Sequence, residues 1–165
     1  MGNFEAVNSQ TFKNWDDMKN AHKGEVTKFA KDNKPYRSPD IKKWFNKGGS
    51  IAIETLEDGT QIWKYTNKSG KMVPYVLAEI GDKSYHIPDF SDHLHPNKKI
   101  ASVNMGNLTG DRNSDTKAFL QLVGLDKIPN GYKLHHGIPE GVMQLVKSDI
   151  HEEFTHIGGS SIYSK

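Results

Sequence analysis

The sequence predicts an α+β fold with N-terminal helices, a central antiparallel β-meander and a C-terminal ββα unit. Three observations predict this class. Apolar residues recur every three to four positions in the first 34 residues, and the period changes to two from Ser50 onwards. After Gly131, two short apolar segments flank a loop that contains Gly and Pro, and a segment with helix-start residues follows them.

Composition limits the class of protein. The chain has 165 residues, enough to bury roughly two-thirds of its unfolded surface in a core. It has no cysteine, which excludes disulfides and thiolate metal sites, and its net charge of +2 is too small for a chain that is basic throughout. No run of 18 apolar residues is present, so we expect no membrane insertion. We expect one domain over residues 1–165, with a helical part at 1–49, the meander at 50–105 and the ββα unit at 131–160.

The N-terminal part is predicted to be helical. Apolar spacing over residues 4–18 predicts one amphipathic helix, and a second follows a break near Gly24. Ser38-Pro39 then supplies an N-cap and a proline at the first helical position. The helix that begins there buries Trp44-Phe45 and ends at Gly48-Gly49.

The middle of the chain is predicted to be a meander. Alternating apolar residues indicate three strands, around 51–53, 61–65 and 73–77, with turn segments rich in Gly, Asp and Asn between them. Pro74 cannot donate a backbone hydrogen bond, which favours an edge position for the third strand.

Two weaker segments and one helix follow the meander. Residues 85–90 and 100–103 are predicted to form an extended loop and a short strand. Ser114-Asp115 precedes Thr116–Val123, whose apolar face predicts a helix that Gly124 closes.

The last part of the chain predicts a hairpin followed by a helix. A turn at Gly131 leads into a strand that ends at His135-His136, residues 137–141 form a loop, and Val142–Val146 form the second strand. Ser148 is the expected N-cap of the helix and Gly158 its expected end.

Four of the eight histidines lie in this terminal part: His135, His136, His151 and His156. Adjacent residues of a strand point to opposite faces, so one histidine can bind a metal while the other acts as a general base. His151 and His156 are five residues apart, roughly 140° around an ideal helix, so His156 ligates only if the last turn loosens. An all-histidine set favours zinc or nickel, while magnesium or manganese remain candidates for turnover.

The terminal segments resemble the toxin domains of the HNH/endonuclease VII superfamily that carry a WHH or LHH motif. The similarity covers about residues 86 to 160. Leu134, where many of these domains have Trp, favours the LHH branch, and Ile157 stands where Thr is common. The segments that carry the resemblance are Leu134-His135-His136, Met143–Val146, Ser148–His151 and His156–Gly159, with weaker similarity at 88–91 and 110–115.

This resemblance implies a metal-dependent endonuclease, the C-terminal domain of a bacterial polymorphic toxin that is delivered into competitor cells and neutralised by an immunity protein. It would act in the cytoplasm of the target cell. It implies that His135, His151 and His156 are metal ligands and that His136 is the general base. DNA is the expected substrate, and RNA stays open because no base-reading motif is visible.

Two further residues enter through the resemblance. Gln144 stands near the superfamily's Asn, which orients the base, although a structural hydrogen bond would explain it equally well. Arg112 is a candidate for stabilising phosphate charge, and a salt bridge to Asp89 or Asp115 is the alternative.

Three competing interpretations remain at this stage. His86, Asp89, Asp92, His93 and His95 form a second group of metal-binding residue types. The second is a non-catalytic interaction domain whose C-terminal histidines hold a structural zinc. The third is a housekeeping repair or homing nuclease, which the small net charge disfavours.

Overall fold

A computed structural model describes residues 6–21, 41–80, 83–106, 108–109, 111–137 and 141–154. The chain divides into two compact units, Met1–Asp89 and Phe90–Lys165. Antiparallel sheets and a few helices make up the described residues, which confirms the predicted α+β class. The expectation of one domain over residues 1–165 is not tested by this division and stays a prediction. No helix in the described ranges is long and apolar enough to cross a bilayer.

The described residues of the first unit form a five-stranded antiparallel sheet and two short helices. The strands follow the chain in the order β1-β2-β3-β4-β5. Its elements are β1 (Ala6–Phe12), α1 (Trp15–Ala21), α2 (Ile41–Asn46), β2 (Ser50–Leu56), β3 (Gln61–Thr66), β4 (Met72–Ile80) and β5 (Lys83–Pro88).

One face of this sheet forms an aromatic core. In β2, β3 and the described part of β4, the buried side chains lie two residues apart, as strand alternation requires. The ring of Trp44 from α2 packs edge-on against Tyr65, and its Nε1 donates a hydrogen bond to the carbonyl of Ser50 at 3.0 Å. The buried strand residues include Ile51, Ile53, Trp63, Tyr65, Val73 and Tyr75.

The first predicted helix is wrong, because Ala6–Phe12 is a strand. It pairs antiparallel with β2, with Phe12 opposite Ile51, and that ladder satisfies the backbone where a helix would have done so. The helix begins only at Trp15, after Asn14, whose Oδ1 accepts a hydrogen bond from the amide of Asp17 at 2.9 Å.

Of the other helices predicted in the N-terminal part, one is confirmed and one is untested. The helix that buries Trp44-Phe45 is confirmed, and Gly48 follows it in the left-handed region at φ +88°. The predicted helix after Gly24 and the Ser38-Pro39 start lie outside the described residues.

The predicted meander is present, but Pro74 is not on an edge strand. The three expected strands are β2, β3 and β4, and β5 pairs with β4 on its other side. The Asp89 amide donates to the Pro74 carbonyl at 2.8 Å, so this residue's backbone faces the end of β5 rather than β3. Since β5 ends at Pro88, the missing N–H of Pro74 removes no bond from either ladder.

The second unit contains a three-stranded antiparallel sheet in the order β6-β8-β7. A 3-10 turn at Ser91–His93 precedes its regular elements. These are α3 (Lys98–Ala101), β6 (Ser102–Asn104), α4 (Arg112–Val123), β7 (Tyr132–His136), β8 (Val142–Lys147) and α5 (Ser148–Glu153).

Three segments in this unit and just before it differ from their prediction. Residues 85–90, predicted as a loop, mostly belong to strand β5, and residues 102–104 pair with β8 instead of extending the meander. The helix before Gly124 begins at Arg112, because the carboxylate of Asp111 caps it by accepting from the Ser114 amide and hydroxyl. Gly124 ends the helix as predicted, at φ +76°.

The core of the second unit lies between α4 and the sheet. Phe119, Met143 and Leu145 are fully buried in one cluster, and each contributes roughly 1.5–3 kcal/mol through burial. A shift of β8 by one residue would turn Met143 and Leu145 away from the core, and the ladder between β7 and β8 pairs these residues with His136 and Leu134. The cluster therefore determines which face of the sheet each histidine of β7 occupies.

Candidate functional site

The paired histidines end strand β7 and face opposite sides of the sheet. His136 lies opposite Met143 across the β7–β8 ladder, and His135 lies opposite Gln144. Directly opposed residues share a face. His136 therefore shares the core face with the buried Met143, and His135 lies on the other face.

On its face, His135 meets two other rings. Its imidazole centroid is 5.3 Å from that of His151, with the two planes at 67°. Phe90, which is 1% exposed, packs edge-on against His135 at 5.1 Å and lies 5.9 Å from the ring of His151. The phenyl ring restricts the orientations of both imidazoles.

Helix α5 brings His151 to this position. The helix contacts β7 and β8, and its Ile150 is 2% exposed. The Ser148 amide donates to the Gly131 carbonyl at 2.9 Å, which ties the first residue of the helix to the start of the hairpin. Glu152 pairs with Lys133 at 2.9 Å, an exposed ion pair worth about 0–1 kcal/mol.

Both predicted ends of this helix require correction. Ser148 is the first helical residue, while Lys147 occupies the N-cap position and makes no side-chain cap. The helix ends at Glu153, well before Gly158, because Phe154 leaves the helical region at φ −93° and ψ 84°. A regular helix therefore does not set the angle between His151 and His156.

The two neighbouring imidazoles fit a shared metal ion. Zn–N bonds are about 2.0–2.1 Å long and a ligating nitrogen lies about 1.1 Å from its ring centroid, so two imidazoles on one tetrahedral ion have centroids about 5 Å apart. The separation of 5.3 Å between His135 and His151 agrees with this geometry. Neutral imidazole is also a donor that zinc and nickel accept readily.

The third expected ligand, His156, lies outside the described residues. Within the described ranges, no group of three or more His, Asp or Glu side chains is arranged to hold a metal. The described residues thus bring together two of the three predicted ligands.

His136 has a different environment from that of His135. It is 5% exposed, and its Nε2 lies 3.5 Å from Oδ2 of Asp115, a carboxylate that is itself 2% exposed. Burial lowers the pKa of His136 below its ordinary value, Asp115 opposes this shift, and the charge of Arg112 adds to it. The net effect favours the neutral imidazole that a general base requires.

Gln144 and Arg112 are placed near the histidines. Gln144 Nε2 donates to the hydroxyl of Ser102 at 3.4 Å, which is the structural hydrogen bond expected as one of its alternatives. Arg112 is exposed at the first position of α4 and forms no ion pair with Asp115 or with another residue in the described part of the chain. Asp115 faces His136 instead.

Among the described residues, the second group of histidines supplies no cluster of three or more metal-binding side chains. His86 is buried among the aromatic rings of the first unit, whereas His93 and His95 belong to the second unit. The ring of His95 packs against that of Tyr132 at a centroid distance of 4.6 Å, and its Nδ1 accepts a hydrogen bond from the Asn97 amide at 3.0 Å. These contacts give His95 a structural explanation.

Sequence reasoning missed two residues of this site, Asp115 and Phe90. Asp115 stands four residues before Phe119, a spacing that places both on one helix face, so the signal was an acid on an apolar stripe. Phe90 carried no comparable signal, because its contact with His135 spans 45 positions of sequence.

The residues that form this site lie partly in a segment that matches a known protein family. Residues 124–165, about a quarter of the chain, match the family model WHH, described as a nuclease of the HNH/ENDO VII superfamily with conserved WHH. The matched range includes β7, β8 and α5, and Leu134-His135-His136 lies within it. Searches of curated proteins and of solved structures found no match.

The family match favours an enzyme over the non-catalytic zinc domain. The C-terminal part of this chain is therefore a nuclease domain of the HNH/ENDO VII superfamily, a class of hydrolases that act on the phosphodiester bonds of nucleic acids.

Proposed function

We propose that this chain is a metal-dependent endonuclease that cleaves DNA and acts as an antibacterial toxin. The observation that carries the proposal is the arrangement at the end of β7. His135 meets His151 on one face of the hairpin, and the adjacent His136 is held separately on the other. In this proposal His135 acts as a metal ligand and His136, one residue later, acts as the base.

His135 and His151, together with His156, are the residues proposed to hold the metal. Nucleases of this superfamily generally use a divalent metal ion. When bound, the ion supplies Lewis-acid stabilisation of the charge that develops on the phosphate and on the leaving oxygen. Zinc or nickel suits the imidazole donors best, and magnesium or manganese is tested beside them.

His136 is the proposed general base. A neutral imidazole at a strand end accepts a proton from the attacking water, which contributes typically 10²–10⁴-fold to the rate of such reactions. The burial of His136 at the end of β7 restricts the orientation of its ring.

Arg112 and Gln144 have supporting functions in this proposal. Arg112 is exposed and lies close enough to His136 for its charge to affect that imidazole, so it is a candidate to bind a phosphate oxygen. Gln144 shares the face of His135 and bonds to Ser102, so it is proposed to hold the strand end beneath the metal ligand.

The substrate and the biological setting rest on the resemblance to polymorphic toxin domains. We infer DNA as the substrate, delivery by a parent toxin or secretion system, action in the cytoplasm of the target cell and a cognate immunity protein in the producer. RNA is tested beside DNA, because contacts to phosphate do not by themselves distinguish one base sequence or one sugar from another.

The test of activity is plasmid cleavage by the purified full chain, with zinc, nickel, magnesium or manganese and with excess chelator. We expect nicked or linear plasmid with at least one ion, none with chelator, and a fall of about 10²–10⁴-fold for His136→Ala. Ribosomal RNA in parallel reactions tests the substrate. Absence of cleavage with every ion, or full activity of His136→Ala, contradicts the proposal.

The test of toxicity is inducible expression in bacterial cells. Wild-type protein is expected to stop growth and to degrade the chromosome, whereas His136→Ala at equal abundance is expected to be tolerated. Normal growth with the active wild-type protein would argue against the toxin assignment while leaving the nuclease assignment in place.

A further inference from the structure

Asp115 is a buried carboxylate in the first turn of α4. It is 2% exposed, although the three residues before it in the helix are all exposed. Carboxylates are almost never fully buried unless they are paired. A specific set of partners therefore explains its position.

Thr109 holds one oxygen of this carboxylate. Its amide donates to Oδ1 of Asp115 at 3.0 Å and its hydroxyl donates to the same oxygen at 2.8 Å. The hydroxyl of Thr109 in turn accepts from the Asp111 amide at 3.0 Å. Two donors on Oδ1 fix the plane of the carboxylate and direct Oδ2 elsewhere.

Oδ2 points at His136. It lies 3.5 Å from Nε2, a buried nitrogen that has no hydrogen-bond partner in the described part of the chain. If Nε2 carried a lone pair, the negative oxygen would repel it, whereas a proton on Nε2 is attracted to that oxygen. Hydrogen bonds between catalytic residues are often long before substrate binds. A decrease of about 0.5 Å in the distance from Nε2 to Oδ2 forms a hydrogen bond between these two atoms.

The proton on Nε2 leaves the lone pair of the neutral ring on Nδ1. We propose that Asp115 is the positioning residue for His136, which it holds in the Nε2–H tautomer and in one ring orientation so that Nδ1 receives the proton of the attacking water. This inference rests on the proposed nuclease function and assigns a residue beyond the HH motif to it.

The chemical step balances around this pair. The water oxygen forms a bond to phosphorus as its proton passes to Nδ1 of His136. The bond from phosphorus to the leaving oxygen breaks, its electrons stay on that oxygen, and a proton from solvent neutralises it. Asp115 takes no proton in the step, and its negative charge stabilises the imidazolium that forms.

The test is the isosteric substitution Asp115→Asn in the full chain. The amide can keep the bonds from Thr109, but it presents an NH₂ group to Nε2 and so favours the other tautomer. We expect kcat to fall by about 10²–10⁴-fold with KM changed less than about threefold, because the substitution changes the tautomer of the base and leaves the binding of substrate intact. The matched control is Asp111→Asn, a carboxylate-to-amide change in the same turn that keeps a good N-cap and is expected to leave kcat within about twofold.

A second readout needs no substrate. Imidazole ¹⁵N chemical shifts identify the protonated nitrogen of His136, assigned by comparison with His136→Ala. We expect Nε2–H in the wild type and in Asp111→Asn, and Nδ1–H in Asp115→Asn. If Asp115→Asn does not fold, Thr109→Val, which removes one donor to Oδ1, is expected to lower kcat by about fivefold.

Wild-type kcat in the folded Asp115→Asn variant, or an Nδ1–H tautomer in the wild type, overturns the inference. Equal losses in Asp111→Asn and Asp115→Asn also overturn it, because they would show a structural effect of the turn. If the wild-type protein cleaves no nucleic acid, the proposed function fails, and the tautomer of His136 still decides the pairing with Asp115.

Discussion

His135 and His136 are identical side chains one residue apart, and only their surroundings distinguish them. The first meets the rings of His151 and Phe90. The second is enclosed on the core face beside the carboxylate of Asp115. Strand alternation separates them, and the helix packed on each face then determines the chemistry that each one supports.

Metal affinity tests this division among the histidines. We expect His135→Ala and His151→Ala each to weaken zinc or nickel binding by more than about 10-fold, since loss of outer-shell partners alone costs about 10–100-fold. His136→Ala is expected to retain wild-type affinity. Isothermal titration calorimetry measures both, with His95→Ala as the control, because His95 has its own structural contacts. Unchanged affinity in His151→Ala would remove this residue from the ligand set.

His86 makes a second residue-scale prediction, on stability against pH. Burial among Trp63, Tyr65 and Tyr75 lowers the pKa of His86 to about 3. The unfolded chain takes up a proton near pH 6.5, whereas the folded chain does so only near its own lowered pKa, so stability falls as pH decreases between these values. We expect the free energy of unfolding to fall by about 2 kcal/mol from pH 7 to pH 5 through this group.

Urea denaturation followed by tryptophan fluorescence measures this loss, because Trp44 and Trp63 both lie in the core of the first unit. His86→Phe keeps an aromatic ring and removes the titrating group, so its stability is expected to change less over the same pH range. An identical pH dependence in the variant would show that other groups are responsible.

At the scale of elements, Gly141 joins the start of β8 to the residue that follows β6. It has φ +98°, and its carbonyl accepts from the Met105 amide at 2.8 Å. A Cβ at this position would collide with the carbonyl oxygen of Gly106. Only glycine permits both the positive φ and this close approach.

Gly141→Ala is expected to destabilise the second unit more than Gly131→Ala does. Both residues have positive φ, but a Cβ at Gly131 meets nothing within 4 Å. Gly131→Ala should therefore cost about 1–2 kcal/mol for the left-handed conformation alone, and Gly141→Ala about 1–3 kcal/mol more for the clash. Thermal melts of the two variants make the comparison, and equal losses would mean that the backbones at residues 106 and 141 separate freely.

At the scale of the whole molecule, the described site residues all lie in the unit Phe90–Lys165. The other unit has its own sheet and aromatic core. The residues proposed for cleavage therefore come from one unit. The proposed metal ligands His135 and His151 lie on β7 and α5, and the buried carboxylate of Asp115 lies on α4.

Metal binding should be visible as stabilisation of the full chain. A ligand that binds only the folded state at 100 times its Kd stabilises that state by about 2.7 kcal/mol. Calorimetry with zinc or nickel is expected to show a higher Tm for the wild type and a smaller shift for His135→Ala, whose affinity for the metal is weaker. Excess chelator should return the wild type to its metal-free Tm. A shift of equal size in His135→Ala would place the metal elsewhere.

The sequence by itself determined the features that depend on neighbouring residues. The ββα order, the opposite faces of His135 and His136 and the helix end at Gly124 follow from strand alternation and from glycine's access to positive φ. These rules act over a few residues, so a single sequence is sufficient to apply them.

Only the tertiary structure decided the features that depend on distant partners. Ala6–Phe12 is a strand because β2 pairs with it, and Pro74 fits an interior strand because β5 ends beside it. The same holds for Phe90 against His135 and for Asp115 against His136. Local spacing carries no information about these contacts, since their free energy arises only when the chain brings remote segments together.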